Sequence, residues 1–125
     1  MVNEDIVEFR AVRPYDLVVS ISTLEHVGFD EEVRDPAKSL RVVEAIRRLA
    51  PGGLAVITVP LGYNPDLDAH LDSGRLRFDR TGCLKRVSAA NAWVEASWAD
   101  VRGPPYGRPF PNANALVVGW RDGPA

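Results

Sequence analysis

The sequence predicts an α/β fold, on three observations. Residues 15–21 and 54–60 are short apolar, β-branched runs without polar alternation, so each reads as a strand buried on both faces. Between them lies an amphipathic helical stretch that ends at Pro51-Gly52-Gly53. Strand, helix and strand with short connections form a βαβ crossover, which makes the strands parallel and the connection right-handed. The chain has 125 residues, enough for one domain, since domains cluster near roughly 100–150 residues.

The first strand, 15–21, follows Pro14. Residues 22–28 read as a turn or the start of a short helix, with Ser22 or Thr23 as its cap. The crossover helix has Asp35 as N-cap and Pro36 at the first helical position, where the missing N–H costs nothing. Val42, Ile46 and Leu49 recur at i, i+4 and i+7, and Val43 and Ala50 widen that face. Arg47 and Arg48 fall near the negative end of the helix dipole. After the strand 54–60 comes a loop over 61–65, then a short helix over 66–74 ended by Gly74. Residues 84–92 read as a helix or turn, 92–98 as a strand, and 115–120 as the last strand. The last two strands are expected to be antiparallel neighbours at one sheet edge. Residues 103–111 hold too many prolines and glycines for a regular element.

Composition excludes several classes. Hydrophobic residues make up 46% and charged residues 26%, a globular balance. With 15 Lys+Arg against 17 Asp+Glu the formal charge is −2, which argues against a nucleic-acid binder, because phosphate binding needs a basic surface. No apolar run reaches the roughly 18 residues of a membrane span. The single cysteine, Cys83, has no internal disulfide partner, and the acidic N-terminus does not look like a signal peptide. These features point to the cytoplasm. Charge is uneven: residues 1–35 hold nine acidic and three basic side chains. The later cluster of Arg75, Arg77, Arg80, Lys85 and Arg86 reads either as a solvated surface or as a site for an anionic group.

Two stretches carry a family resemblance. Residues 15–27 contain an aromatic-Asp pair, an apolar strand and a Leu24-Glu25-His26 turn. This resembles the fourth-strand motif of class I S-adenosylmethionine-dependent methyltransferases. Leu49-Ala50-Pro51-Gly52-Gly53, leading into 54–57, resembles their Leu-x-Pro-Gly-Gly turn into the fifth strand. The two stand in the right order at a fitting separation. The resemblance implies a partial Rossmann-like, methyltransferase-type sheet: parallel strands with a crossover helix, plus a C-terminal antiparallel pair. The glycine-rich loop that receives the methionine end of the cofactor has no counterpart in the sequence, nor does the acidic residue that holds the ribose. Residues 1–125 therefore resemble the C-terminal half of such a domain, a single truncated methyltransferase-like unit.

The resemblance implies roles residue by residue. In Asn3-Glu4-Asp5-Ile6, Asp5 contacts the adenine amino group of S-adenosylmethionine and Ile6 packs on the ring. Ser22 and Thr23 belong to the cofactor side of the turn. Glu25 and His26 form the catalytic pair, with His26 as general base toward an acceptor hydroxyl. Alternatively, Asp5 serves a local turn, Glu25 pairs locally and His26 packs beneath the site. Tyr63 and Asn64, past the end of the second strand, line a substrate pocket, because ligands bind at the carboxyl ends of parallel strands. Asp66, Asp68, His70 and Asp72 are spaced like a metal cluster, but on a helix they point to different faces, so no metal is expected. Cys83 reads as structural, and Trp93, Trp98 and Trp120 as core or interface anchors.

The expected function is methyl transfer to a small molecule or sugar, incomplete in the isolated chain. The alternative is a catalytically inactive fragment acting as an interaction or scaffold protein. In the complete fold the first strand lies beside the fourth. Without it, strand 15–21 has an unpaired edge that invites another chain. A homo-oligomer through this region is expected, or a second chain that supplies the cofactor-binding half.

Overall fold

The computed structural model describes residues 4–103 and 105–122, so Asn3 of the adenine-loop motif lies outside the described residues. β1 (Leu17–Ile21) and β2 (Leu54–Pro60) run parallel, with Leu17 opposite Leu54 and Ile21 opposite Thr58. Their crossover carries α1 (Lys38–Leu49), which buries Val42, Val43 and Ile46 while Arg41 and Arg48 face outward. The helix starts later than Asp35-Pro36 predicts. Ala37 holds the N-cap position, and the Asp35 carboxylate accepts the Ala37 N–H at 3.1 Å, so it caps the preceding turn. Gly53 makes the turn into β2 possible: a Cβ there would sit 2.3 Å from the Asp16 carbonyl oxygen.

The helix expected over 66–74 is α2 (Pro65–Ser73), with Asn64 as N-cap and Gly74 closing it in the left-handed conformation at φ 79°. Beyond it the sheet turns antiparallel. β3 (Arg80–Arg86), β4 (Trp93–Ala96) and β5 (Ala115–Asp122) complete a five-stranded mixed sheet in the order β1-β2-β5-β3-β4. The short α3 (Trp98–Val101) opens on a reciprocal cap between Ser97 and Asp100.

Three expectations are corrected here. The stretch read as a helix or turn over 84–92 begins inside β3, whose polar sequence conceals a strand. It is held by β5 on one side and β4 on the other, so its neighbours decide its conformation rather than its own propensity. The last two strands are not neighbours: β3 separates β4 from β5, and β5 sits centrally against β2. The antiparallel part is thus three strands rather than an edge pair. Finally, β2 is well covered but β1 is not buried on both faces.

The sheet's two faces differ. On one, Ala55, Ile57 and Val59 of β2 pack against Val42, Val43 and Ile46 of α1 and Leu67 of α2. A second cluster joins Cys83, Val101, Ala115 and Val117. On the other face Leu17, Val19 and Ile21 are 54%, 51% and 66% exposed. Their rows run on into Val56 and Trp120, and into Thr58 and Val118, all half-buried. Among the described residues no helix is long and apolar enough to cross a membrane.

Candidate functional site

The candidate site grows out of the carboxyl ends of β1 and β2. Chain direction changes at Ser22, which adopts φ 46° and donates its N–H to the Thr58 carbonyl and hydroxyl oxygens, both at 3.1 Å. The Thr23 hydroxyl bonds back to the Ile21 carbonyl at 3.0 Å. Neither side chain caps the turn that follows, contrary to expectation, because both residues are engaged in closing the strand end. Leu24–His26 form a single 3-10 turn. Leu24 plugs the core, which fixes Glu25 and His26 relative to the sheet.

Glu25 is only 3% exposed, and its Oε1 has no hydrogen-bond partner. Burial pushes its carboxyl above the usual range. The Glu25 carbonyl accepts the Asn64 side-chain amide at 2.9 Å. Asn64 also caps α2, its Oδ1 accepting from the N–H groups of Asp66 and Leu67 at 3.0 and 3.2 Å. One side chain therefore ties the turn after β1 to the helix after β2.

His26 stands in the open, its side chain 49% exposed, between two carboxylates. Its Nδ1 meets Asp30 Oδ2, and its Nε2 lies 3.6 Å from Glu25 Oε2, beyond hydrogen-bond reach. Tyr63 reaches in from the loop after β2 and donates its hydroxyl to the same Asp30 oxygen at 2.5 Å. The Tyr63 and His26 rings meet edge-on at 4.8 Å, and Tyr106 and Phe29 extend the aromatic cluster. The bonds from Tyr63 and His26 hold the Asp30 carboxyl below its usual range. Donation to Asp30 in turn pushes the Tyr63 phenol up to about 12.

A groove of about 470 Å³ opens on the other side of the turn, lined by Asp5, Ile6, Ile21, Thr23 and Lys38 among others. Asp5 accepts the Val7 N–H at 3.0 Å and pairs with Lys38 at 3.1 Å. Lys38 bridges onward to Glu31 at 2.9 Å. The Val7 bond and the Lys38 ammonium hold the Asp5 carboxyl below its usual range. Ile6 packs against the main core.

The predicted residues thus fall into two groups. Asp5, Ile6 and Thr23 share the groove; Glu25, His26, Tyr63 and Asn64 share the polar and aromatic cluster. Ser22 sits at the junction and serves the backbone. Asp30 escaped sequence reasoning, as did Phe29 and Tyr106. The contact is not a helical one: Val27 is extended and Gly28 takes φ 69°, so 26–30 is a tight non-helical turn in which the N–H groups of Phe29 and Asp30 both bond to the His26 carbonyl at 3.2 Å, a geometry that the spacing alone does not signal.

Other candidate groups disperse. Asp66 pairs with Arg34 and Asp68 accepts the Gly62 N–H, while His70 bonds to the Pro36 carbonyl and Asp72 receives Trp98 and Arg102. Among the described residues no three His, Cys, Asp or Glu side chains converge to hold a metal. Arg77 and Arg86 donate to backbone carbonyls, and Arg80 lies over Trp120, so these three of the basic cluster are each engaged locally. Cys83 is buried, and burial pushes its thiol up, away from reactivity.

Fold and site together define an α/β chain with a carboxylate–histidine cluster at the carboxyl ends of a parallel strand pair. No family model, no curated protein and no solved structure matches it.

Proposed function

We propose that this chain supplies the C-terminal half of an S-adenosylmethionine-dependent methyltransferase unit directed at a hydroxyl of a small molecule or sugar. One observation carries the reading. The Glu25-His26 turn stands at the carboxyl end of β1, between a groove lined by Asp5, Ile6 and Thr23 and an open cluster holding His26 and Tyr63. Ligands bind at such strand ends.

The residues present fit part of the cofactor. Asp5 Oδ1 and Oδ2 each keep a lone pair beyond the bonds to Val7 and Lys38, enough to accept an adenine amino group, and Ile6 offers an apolar surface beside it. No described residue offers the glycine-rich cradle for the methionine end, so a second, different chain would provide it. Bound there, S-adenosylmethionine would supply an electrophilic methyl group. The chain's own task is proton handling: His26 Nε2 accepts the proton of the acceptor hydroxyl, and Asp30 holds Nδ1. Glu25 Oε2 lies 3.6 Å from Nε2, too far to claim its lone pair as a hydrogen-bond partner.

The partner reading rests on β1. Among the described residues it pairs with β2 alone, and its exposed Leu17, Val19 and Ile21 carry neither charge nor proline to blunt the edge. Association of copies through this strand, or capture of a second chain that brings the missing half, follows from the same unpaired edge. The alternative of a scaffold without catalysis is favoured by the Lys38 and Val7 bonds that already engage Asp5.

The test is calorimetric titration of the purified chain with S-adenosylhomocysteine, after its oligomeric state is fixed by light scattering. Micromolar binding by an oligomer supports a cofactor site rebuilt across copies. A folded oligomer that ignores millimolar ligand sinks cofactor binding by this chain alone. In an active assembly, His26→Ala is expected to lower transfer by about 10²–10⁴-fold, the contribution of one general base. Full activity without His26 removes it as the base.

A further inference from the structure

We propose that Asp30 is a positioning residue that holds the neutral His26 ring with its proton on Nδ1, leaving the Nε2 lone pair as the proton-accepting atom. The inference rests on the reading of His26 as a base and goes beyond it, because it states which nitrogen acts and what fixes that choice.

Geometry makes the argument. Residues 26–30 form one turn, closed by the Phe29 and Asp30 N–H groups on the His26 carbonyl, which lays the Asp30 carboxylate against the imidazole edge. An ionised carboxylate only accepts hydrogen bonds, so the nitrogen facing it must carry hydrogen. Asp30 is kept ionised by the two donors that converge on Oδ2, the His26 ring and the Tyr63 hydroxyl. Tyr63 arrives from the other strand end, so the carboxylate is held from two elements and cannot swing away without breaking both contacts. Among the described residues the other charged group facing the ring is Glu25, whose Oε2 lies 3.6 Å from Nε2, too far to claim that atom as a hydrogen-bond partner. Arg34 is turned away, lying over Phe29 and paired with Asp66. This is the orienting role that a third group plays for a base in general, recognised by geometry rather than sequence order.

The test is nitrogen-15 NMR of the imidazole in the full chain, at a pH where the ring is neutral. In the wild type, Nδ1 is expected to show the protonated, pyrrole-type shift and Nε2 the bare, pyridine-type shift. Asp30→Ala removes the acceptor and is expected to move the ring toward the Nε2–H form or a mixture. Tyr63→Phe keeps the carboxylate and is expected to retain the wild-type pattern. A wild-type ring protonated on Nε2 overturns the proposal without any variant having to fold. An unchanged pattern in folded Asp30→Ala overturns it too. In an active assembly, Asp30→Ala is expected to lower kcat by up to about 10⁴-fold, the loss seen when a base is left in the wrong tautomer, while KM for the acceptor stays unchanged. The NMR readout needs neither cofactor nor acceptor. A failure of the methyltransferase reading, seen as no S-adenosylhomocysteine binding, is thus distinguishable from a failure of this inference.

Discussion

Replacing Asn64 with Ala removes two things at once, and the structure separates them. Asn64 is only 3% exposed. Its Oδ1 caps α2 through Asp66 and Leu67, and its amide donates to the Glu25 carbonyl. Loss of a cap costs about 1 kcal/mol, within a range of roughly 0.5–2. A buried carbonyl left without its donor costs roughly 1–3 kcal/mol more. The expected total is about 2–4 kcal/mol. In a chain between the small and large size classes this lowers Tm by about 10 °C. Urea unfolding followed by circular dichroism checks it, with the midpoint moving and the slope unchanged. Asn64→Ser keeps an oxygen for the helix N–H groups but is too short to reach Glu25, so it should fall between wild type and Ala. A loss under about 0.5 kcal/mol for Ala refutes the reasoning, since it lies within the range of an ordinary surface change. Ala as mild as Ser refutes the split between cap and tether.

Three further outcomes follow from the same geometry. Gly119→Ala places a Cβ 2.3 Å from the Phe78 ring and is expected to cost about 1–3 kcal/mol by overpacking; a smaller residue at 78 should recover part of it, and thermal melts of the single and double variants check this. Burial raises the Glu25 carboxyl above its ordinary value, so its protonated form is favoured in the folded state and stability declines as pH rises from about 4 through the raised value. Glu25→Gln should flatten that decline in urea midpoints measured across the range, and an unchanged pH slope contradicts it. Val19→Lys puts a charge on the exposed row of β1 and should lower the assembly mass seen by light scattering; a wild-type chain that is a monodisperse monomer at high micromolar concentration contradicts association through β1.

Much of the parallel unit was legible because its signals are local. The unbroken apolar run of 54–60 and the i, i+4, i+7 stripe at Val42, Ile46 and Leu49 each specify an element without reference to distant residues. Gly74 likewise marks the end of α2, whereas Asn64 and Pro65, which the sequence places in the preceding loop, are its N-cap and first residue. The Leu24-Glu25-His26 turn was legible as a candidate site, and it stands at the predicted strand end.

What the sequence determined by itself, then, is the βαβ unit, the position of its turns and the residue types at its carboxyl end, because periodicity and backbone punctuation act over a few residues. Tertiary structure alone decided three things. It made a strand of Arg80–Arg86, whose polar composition carries no strand signal until β4 and β5 bracket it. It placed β5 at the centre of the sheet, since strand order depends on pairings across long stretches of chain. And it joined Asp30 and Tyr63 on one carboxylate oxygen across 33 positions of sequence. A hydrogen bond at that separation exists only once β1 and β2 lie side by side and bring their following loops within reach.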